Sequence, residues 1–262
     1  MKSIRKAAVA GTFYPNDASE LKACLDTLMR QTKVDSKHLK AIIAPHAGYI
    51  YSGPVAASAY SCFIGQPLLI NRVVLLGPAH RVSFHGVAAS SADFFTTPLG
   101  KIAVDHDSLQ VIVEHGLVKY FDLAHEQEHC FEVQLPFLQQ LFNGNFKIIP
   151  LVVGDTNPSH VAKVLRALWG GPETLVVISS DLSHYQDHET AKRLDQQTTQ
   201  SIEQFHGEEL DYESACGCLP IQGLLKIAKE LDMQCKTLDL RNSGDTTGSH
   251  DRVVGYGAYA FY

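Results

Sequence analysis

Three hydrophobic runs in this chain end in short polar loops, and each loop carries a histidine. The first reads Ile43-Ala44-Pro45-His46-Ala47-Gly48-Tyr49, the second Leu76-Gly77-Pro78-Ala79-His80, and the third Ile178-Ser179-Ser180-Asp181-Leu182-Ser183-His184-Tyr185. Imidazole is the commonest protein ligand for zinc, copper, iron and nickel, and it titrates near neutrality. His46 and His80 therefore suit a metal ion, with Asp181 or His184 available as third ligand or general base. Asp181 has a second reading, because Ser-Ser-Asp ahead of a helix is a common N-cap signal. On one helical turn His184, three residues on, would then share its face.

Two further segments carry candidate chemistry. His125-Glu126-Gln127-Glu128-His129 contains the spacing H-E-x-x-H, which on a helix places two imidazoles on one face for zinc. It lies, however, between a loop and a helical pattern that starts at Phe131. The other segment is Ala215-Cys216-Gly217-Cys218-Leu219-Pro220-Ile221. C-x-C is not the redox C-x-x-C, and no second pair exists to complete a structural zinc site. A cysteine beside glycine ahead of a helix is either a low-pKa thiolate or a small buried residue. Cys24, Cys62, Cys130 and Cys235 lie in apolar patterns and read as core. Neither G-x-G-x-x-G, nor a Walker pattern, nor a G-x-S-x-G elbow occurs, which sets aside nucleotide-binding and α/β-hydrolase readings.

The elements that must position these loops are legible as patterns. Leu39–Ala44, Arg72–Leu76, Lys147–Val153 and Thr174–Ile178 are near-continuous apolar runs, as in strands covered on both faces. Helical patterns lie between them at Ala18–Gln31, Pro54–Phe63, Phe131–Phe142, Pro158–Leu168 and Glu189–Glu203. Strands alternating with helices predict a three-layer α/β fold with a mainly parallel sheet. Gly86–Ser90, Phe94–Thr97 and Lys101–Val104 read as short extended pieces around Pro98-Leu99-Gly100. Gln234–Leu240 and Val253–Tyr262 read as a late strand pair, so the sheet is expected to be mixed. In open α/β sheets ligands bind at the carboxyl ends of the strands, which is where the histidine loops fall.

The chain has 262 residues, 45% of them hydrophobic and 19% charged, with 13 histidines and a net charge of -6. No linker, composition shift or repeat divides it, so one domain over residues 1–262 is expected. The acidic balance argues against nucleic acid, which needs a clustered basic face. No run approaches the ~20 apolar residues of a membrane span, and the apolar stretch after Lys6 is too short for a signal peptide. The six cysteines lack a disulfide-framework spacing. A cytoplasmic protein with no membrane partner is the expectation.

At these motifs the sequence resembles the Memo family, the protein B component of the AmmeMemoRadiSam group. The resemblance runs over Arg5-Lys6-Ala7-Ala8-Val9-Ala10-Gly11-Thr12-Phe13-Tyr14-Pro15, Ala44-Pro45-His46-Ala47-Gly48-Tyr49-Ile50-Tyr51-Ser52-Gly53, Gly77-Pro78-Ala79-His80 and Thr97-Pro98-Leu99-Gly100. It continues through Glu128-His129, Glu132-Val133-Gln134-Leu135-Pro136-Phe137, Ser179–Tyr185, Cys216-Gly217 and Pro220-Ile221. It implies a fold like that of the class III extradiol dioxygenases, which hold non-haem iron with two histidines and a carboxylate. Carried over, His46 and His80 are the paired imidazole ligands and Cys216 takes the third position. His184 matches the dioxygenase acid/base, with Asp181 and His129 nearby, and H-E-x-x-H is demoted because His129 belongs to the family's Glu-His pair.

The thiolate is a departure from the dioxygenases. It is soft where a carboxylate is hard, and two histidines with a cysteine form a copper-like ligand set. Ring cleavage is therefore not inherited with the fold. The resulting expectation is a redox protein, an oxidase or dioxygenase-like enzyme, with mononuclear iron or copper, zinc being the remaining candidate. Tyr49, Tyr51 and Tyr185 are candidates to line a cleft for a small-molecule substrate or peptide. Other AmmeMemoRadiSam components are candidate partners. The rival readings are a non-catalytic metal- or partner-binding module and, third, cysteine catalysis with Cys216 as nucleophile and His184 as base.

Overall fold

The computed structural model describes residues 2–30, 39–64, 69–246 and 248–262. In chain order the elements are β1 (Ile4–Arg5), α1 (Ala18–Met29), β2 (Ala41–Ala44), α2 (Tyr49–Tyr60), β3 (Arg72–Pro78), β4 (Val87–Ala89), β5 (Phe94–Thr97) and β6 (Gly100–Val104). Then follow α3 (His106–Glu114), β7 (Lys119–Tyr120), α4 (Leu123–Glu126), α5 (Leu135–Phe142), β8 (Lys147–Val153), α6 (Pro158–Leu168) and β9 (Thr174–Ser179). The chain ends with β10 (His184–Gln186), α7 (His188–Glu203), α8 (Cys218–Glu230), β11 (Cys235–Asn242) and β12 (Val253–Phe261).

The strands form one sheet in the order β1-β5-β6-β8-β3-β9-β2-β12-β10, with β11 also on β12 and β4 on both β8 and β7. Its middle, β6-β8-β3-β9-β2, is parallel throughout. The antiparallel pairs lie towards the margins, where β5 meets β6, β4 meets β8, and β12 meets β2, β10 and β11. Every residue of β2 and β9 is buried, as are the last six of β3 and of β8. Successive strand residues point to opposite faces, so burial of both kinds means both faces are covered. Two helical groups cover them, α1 with α2 and α5, and α6 with α3 and α8. The protein is thus a single α/β domain with a mainly parallel, mixed sheet flanked by helices.

Local chemistry explains where the elements begin. Asp17 caps α1 by accepting from Ser19 and Glu20, and Asn157 followed by Pro158 starts α6. The helix expected from Pro54 begins five residues earlier, at Tyr49. Its first turn is fixed by the Tyr49 N–H donating to the Phe13 carbonyl at 2.7 Å and by Ser52 N–H reaching Gly48, so Pro54 is carried inside it. The segment expected as one helix from Phe131 is a 3₁₀ turn, Glu132–Gln134, followed by α5, because Pro136 favours a helix start there. α1 matches its pattern to Met29, and Gln31 lies outside the described residues. α3, α4 and the short strands β1, β7 and β10 had not been anticipated as elements, and the helix expected after Cys216 is α8. Among the described residues no helix is long and apolar enough to cross a membrane.

Candidate metal centre

His46, His80 and Asp181 each stand two residues beyond the end of a parallel strand, respectively β2, β3 and β9. Register keeps these ends level, with Ala44 opposite Ser179 and Leu76 opposite Ile178. The three loops therefore converge on one edge of the sheet. The loop ahead of α8 brings the fourth group, docked by Cys216 N–H on the Asp181 carbonyl at 3.3 Å and Gly217 N–H on Ser180 Oγ at 2.9 Å. A side chain at Gly217 would start 2.7 Å from the Ser180 Cβ, so only glycine permits this approach.

The donor atoms of His46, His80 and Cys216 all lie within 4.8 Å of one another. Cys216 Sγ is 3.4 Å from His46 Nε2. Which nitrogen of His46 is free follows from its neighbours. The Tyr60 hydroxyl donates to Gln134 Oε1 at 2.8 Å, so the Gln134 amide nitrogen faces Pro45 O and Ser179 Oγ. Ser179 gives its own proton to the Cys130 carbonyl at 2.5 Å. It can then only accept from His46 Nδ1, 2.9 Å away, which leaves the Nε2 lone pair towards Cys216.

His80 is set the same way by a carboxylate. Glu128 is fully buried, accepts His80 N–H at 2.7 Å on Oε2, and receives His80 Nδ1 at 2.9 Å on Oε1. Oε1 also accepts from the backbone of His129 and Cys130. Burial alone would raise this carboxyl, but the His80 ring and backbone N–H, with the His129 ring, hold it down at about 2. An ionised Glu128 accepts only, so His80 carries its proton on Nδ1 and offers Nε2. The Cys130 that completes this turn sits where a Cβ on Gly77 would be, 2.3 Å from its Sγ. Donor atoms of Glu128, His80 and His129 also lie within 4.8 Å of one another, but the Glu128 oxygens are already committed to holding the ligand loop.

The electrostatics favour a neutral ring at His46 and a protonated thiol at Cys216. Burial, then the neighbouring His80, pushes His46 well below the usual imidazole range. Burial, with His46 and His80, brings His129 to about 4. The His129 ring stacks on His80 with centroids 4.6 Å apart and meets His46 edge-on at 5.4 Å, and its Nδ1 is buried without a hydrogen bond. Burial, then the Asp181 charge, pushes the Cys216 thiol up. Asp181 N–H points at Sγ from 3.3 Å, a donor ready for a thiolate.

The remaining candidates are placed differently. Asp181 is not a helix cap: β9 is followed by an irregular stretch and by β10, and Asp187 caps α7. Its carboxylate takes the His46 N–H at 2.7 Å, and burial raises its pKa against that bond. His184, partly exposed, lines a cleft of about 690 Å³ together with His80, Cys216, Arg81 and Tyr212. Tyr49 is buried and gives its hydroxyl to the Val133 carbonyl at 2.8 Å, so it is a packing residue rather than a cleft lining. Tyr185 is 63% exposed with the Arg252 guanidinium over its ring. Tyr51 is exposed on α2. The H-E-x-x-H pair is split: His129 joins the site, whereas His125 is buried against Phe131 with Nε2 on the Ala88 carbonyl. Of the cysteines read as core, Cys62 and Cys130 are buried, and Cys24 and Cys235 are half-buried. Glu128, Ser179 and Gln134 had not been assigned the roles in which they orient the imidazoles.

The model of the Memo family, described as Memo-like protein, matches residues 5–260. The chain belongs to the Memo family. A MEMO1 family protein of Aquifex aeolicus is 37% identical over 97% of this chain and 97% of its own length. One from Saccharolobus solfataricus is 36% identical over 98% and 99%, and one from Aeropyrum pernix 37% over 97% and 98%. The His46, His80 and Cys216 group is therefore embedded in a Memo domain covering nearly the whole chain, and the resemblance read from its motifs holds.

Proposed function

We propose that this Memo protein is a metal-dependent redox protein, an oxidase or dioxygenase-like enzyme, that holds mononuclear iron or copper on His46, His80 and Cys216. The observation that carries the reading is that three donor atoms from three loops meet within 4.8 Å, with both imidazole tautomers turned to present Nε2. The donor set fits: two neutral nitrogens and one soft sulfur, on an open cleft, suit copper or iron more than calcium or magnesium. Such an ion supplies one-electron and oxygen chemistry when bound. The chain's own part is to orient and to move protons. Glu128 and Ser179 fix the ligand rings. His184, which lines the same cleft as Cys216, would take or give a proton, and Asp181 secures the backbone of His46.

A non-catalytic metal-binding module is the second reading, favoured by the same donor set with zinc, which has no redox chemistry. The cysteine-nucleophile reading gains less support, because burial and Asp181 push the Cys216 thiol up, opposite to an activated thiolate. Cobalt(II) titration tests ligation: a sulfur-to-metal absorption band should form with one equivalent and vanish in Cys216→Ser. Oxygen uptake with iron or copper across a panel of catechols and small thiols separates enzyme from module. No band in the wild type would end the metal reading.

A further inference from the structure

Three acids near the cleft already have partners. Asp155 meets the His85 ring at 2.9 Å, Asp181 holds the His46 N–H at 2.7 Å, and Glu128 is filled by His80, His129 and Cys130. Arg81 stands in the same cleft wall, exposed, and its guanidinium has no carboxylate partner among the described residues. Its loop is clamped at both ends. Ala79 N–H donates to Val153 O at 3.1 Å, Gly86 N–H to Asp155 O at 2.8 Å, and Asp155 N–H to Phe84 O at 2.8 Å. Phe84 is buried at the turn, stacked edge-on against Phe121. The cation is thus carried on a fixed wall. Tyr212, also lining the cleft, is 64% exposed and offers an uncovered ring.

The bias rests on the field of Arg81, because ionised Glu128 beside His80 offsets the one positive charge that a divalent ion on two neutral imidazoles and one thiolate would keep. Cleft walls of low dielectric, here Pro78, Phe84 and Val153, strengthen such fields. We propose that the cleft selects small molecules bearing a carboxylate, with Arg81 receiving the carboxylate and Tyr212 flanking the rest of the molecule. A guanidinium fork matches a carboxylate with two parallel hydrogen bonds, which a lysine cannot do. The proposal names the substrate class of the metal-centre reading and rests on it for where reaction occurs, but Arg81's part can be read without an ion.

The test compares benzoate with its neutral counterpart benzamide by calorimetric or NMR titration of the whole chain, metal-free and zinc-loaded. Wild type should prefer benzoate by about tenfold, as expected for one charge-assisted pair. Arg81→Gln should abolish the preference, and Arg81→Lys should restore only part of it. Arg81 is exposed, so both variants keep the fold, and the cobalt band should be unchanged in each. Equal or undetectable binding of the two compounds by wild type, or a preference surviving in Arg81→Gln, would overturn the proposal. Inorganic phosphate binding more tightly than benzoate through Arg81 would overturn the carboxylate class. Loss of the cobalt band in wild type would bring down the metal reading alone, since the metal-free titrations still decide Arg81.

Discussion

Residues that never reach the ion do much to decide how this site behaves. Glu128 carries a full charge in a dry position because it receives four N–H groups, among them the His80 ring. Removing that charge should loosen the ring and lower its basicity. Glu128→Gln is expected to weaken zinc or cobalt affinity about 10–100-fold, measured by competition with a chelator. Proton traffic on binding follows from the same electrostatics. The imidazoles His46 and His129 are held neutral by burial, while the Cys216 thiol is held protonated. Near neutral pH, binding should therefore release about one proton per ion, and affinity should rise with pH. Calorimetry in buffers of different ionisation enthalpy counts it, and Cys216→Ser should release none. The ligands were legible in the sequence because histidines recur after apolar runs, with Cys216 added by the family motifs. Their supports were not legible: Glu128 lies 48 residues from His80, and Ser179 lies 133 from His46. A lone polar residue beside an apolar pattern announces burial of a polar group without naming its partner.

At the scale of elements, α7 presents to the sheet an acid with no cationic partner among the described residues. Asp195 is 2% exposed, and its carboxylate accepts Ser183 N–H at 3.0 Å at the start of the His184 segment. Burial raises its pKa to about 6, with the Ser183 hydrogen bond opposing. The folded state therefore prefers the protonated acid. That preference stabilises fully below the unfolded value near 4 and is lost as pH rises through about 6. Asp195→Asn should raise stability at pH 7.5 by roughly 1–3 kcal/mol and change it little at pH 4. Denaturant unfolding at the two values checks this; equal effects at both would contradict it. The parallel strands were legible as unbroken apolar runs, since burial of both faces leaves no alternation to obscure them. Helix starts were less so. Tertiary bonds from Phe13 pulled α2 back to Tyr49, and Pro136 split the segment after Phe131 into two kinds of helix. Asp181 looked like a cap because Ser-Ser-Asp is a common cap signal, but an antiparallel pairing of His184 with Val254 claimed the following residues as strand.

Across the whole molecule, the parallel β3-β9-β2 centre aligns three strand ends, and the Memo domain surrounds them from residue 5 to 260. Strand order could not be read from the pattern, because every buried run has the same composition and pairing is decided by crossovers far apart in sequence. The convergence of His46, His80 and Cys216 was therefore an inference from strand ends and family motifs, and the fold supplies its geometry. The most direct measurement is the metal content of protein purified without oxygen, wild type beside Cys216→Ser. The account predicts about one iron or copper per chain in the wild type, as three protein ligands would hold a single ion, and its loss in the variant. No metal in either protein, even after anaerobic reconstitution with both ions, would contradict it.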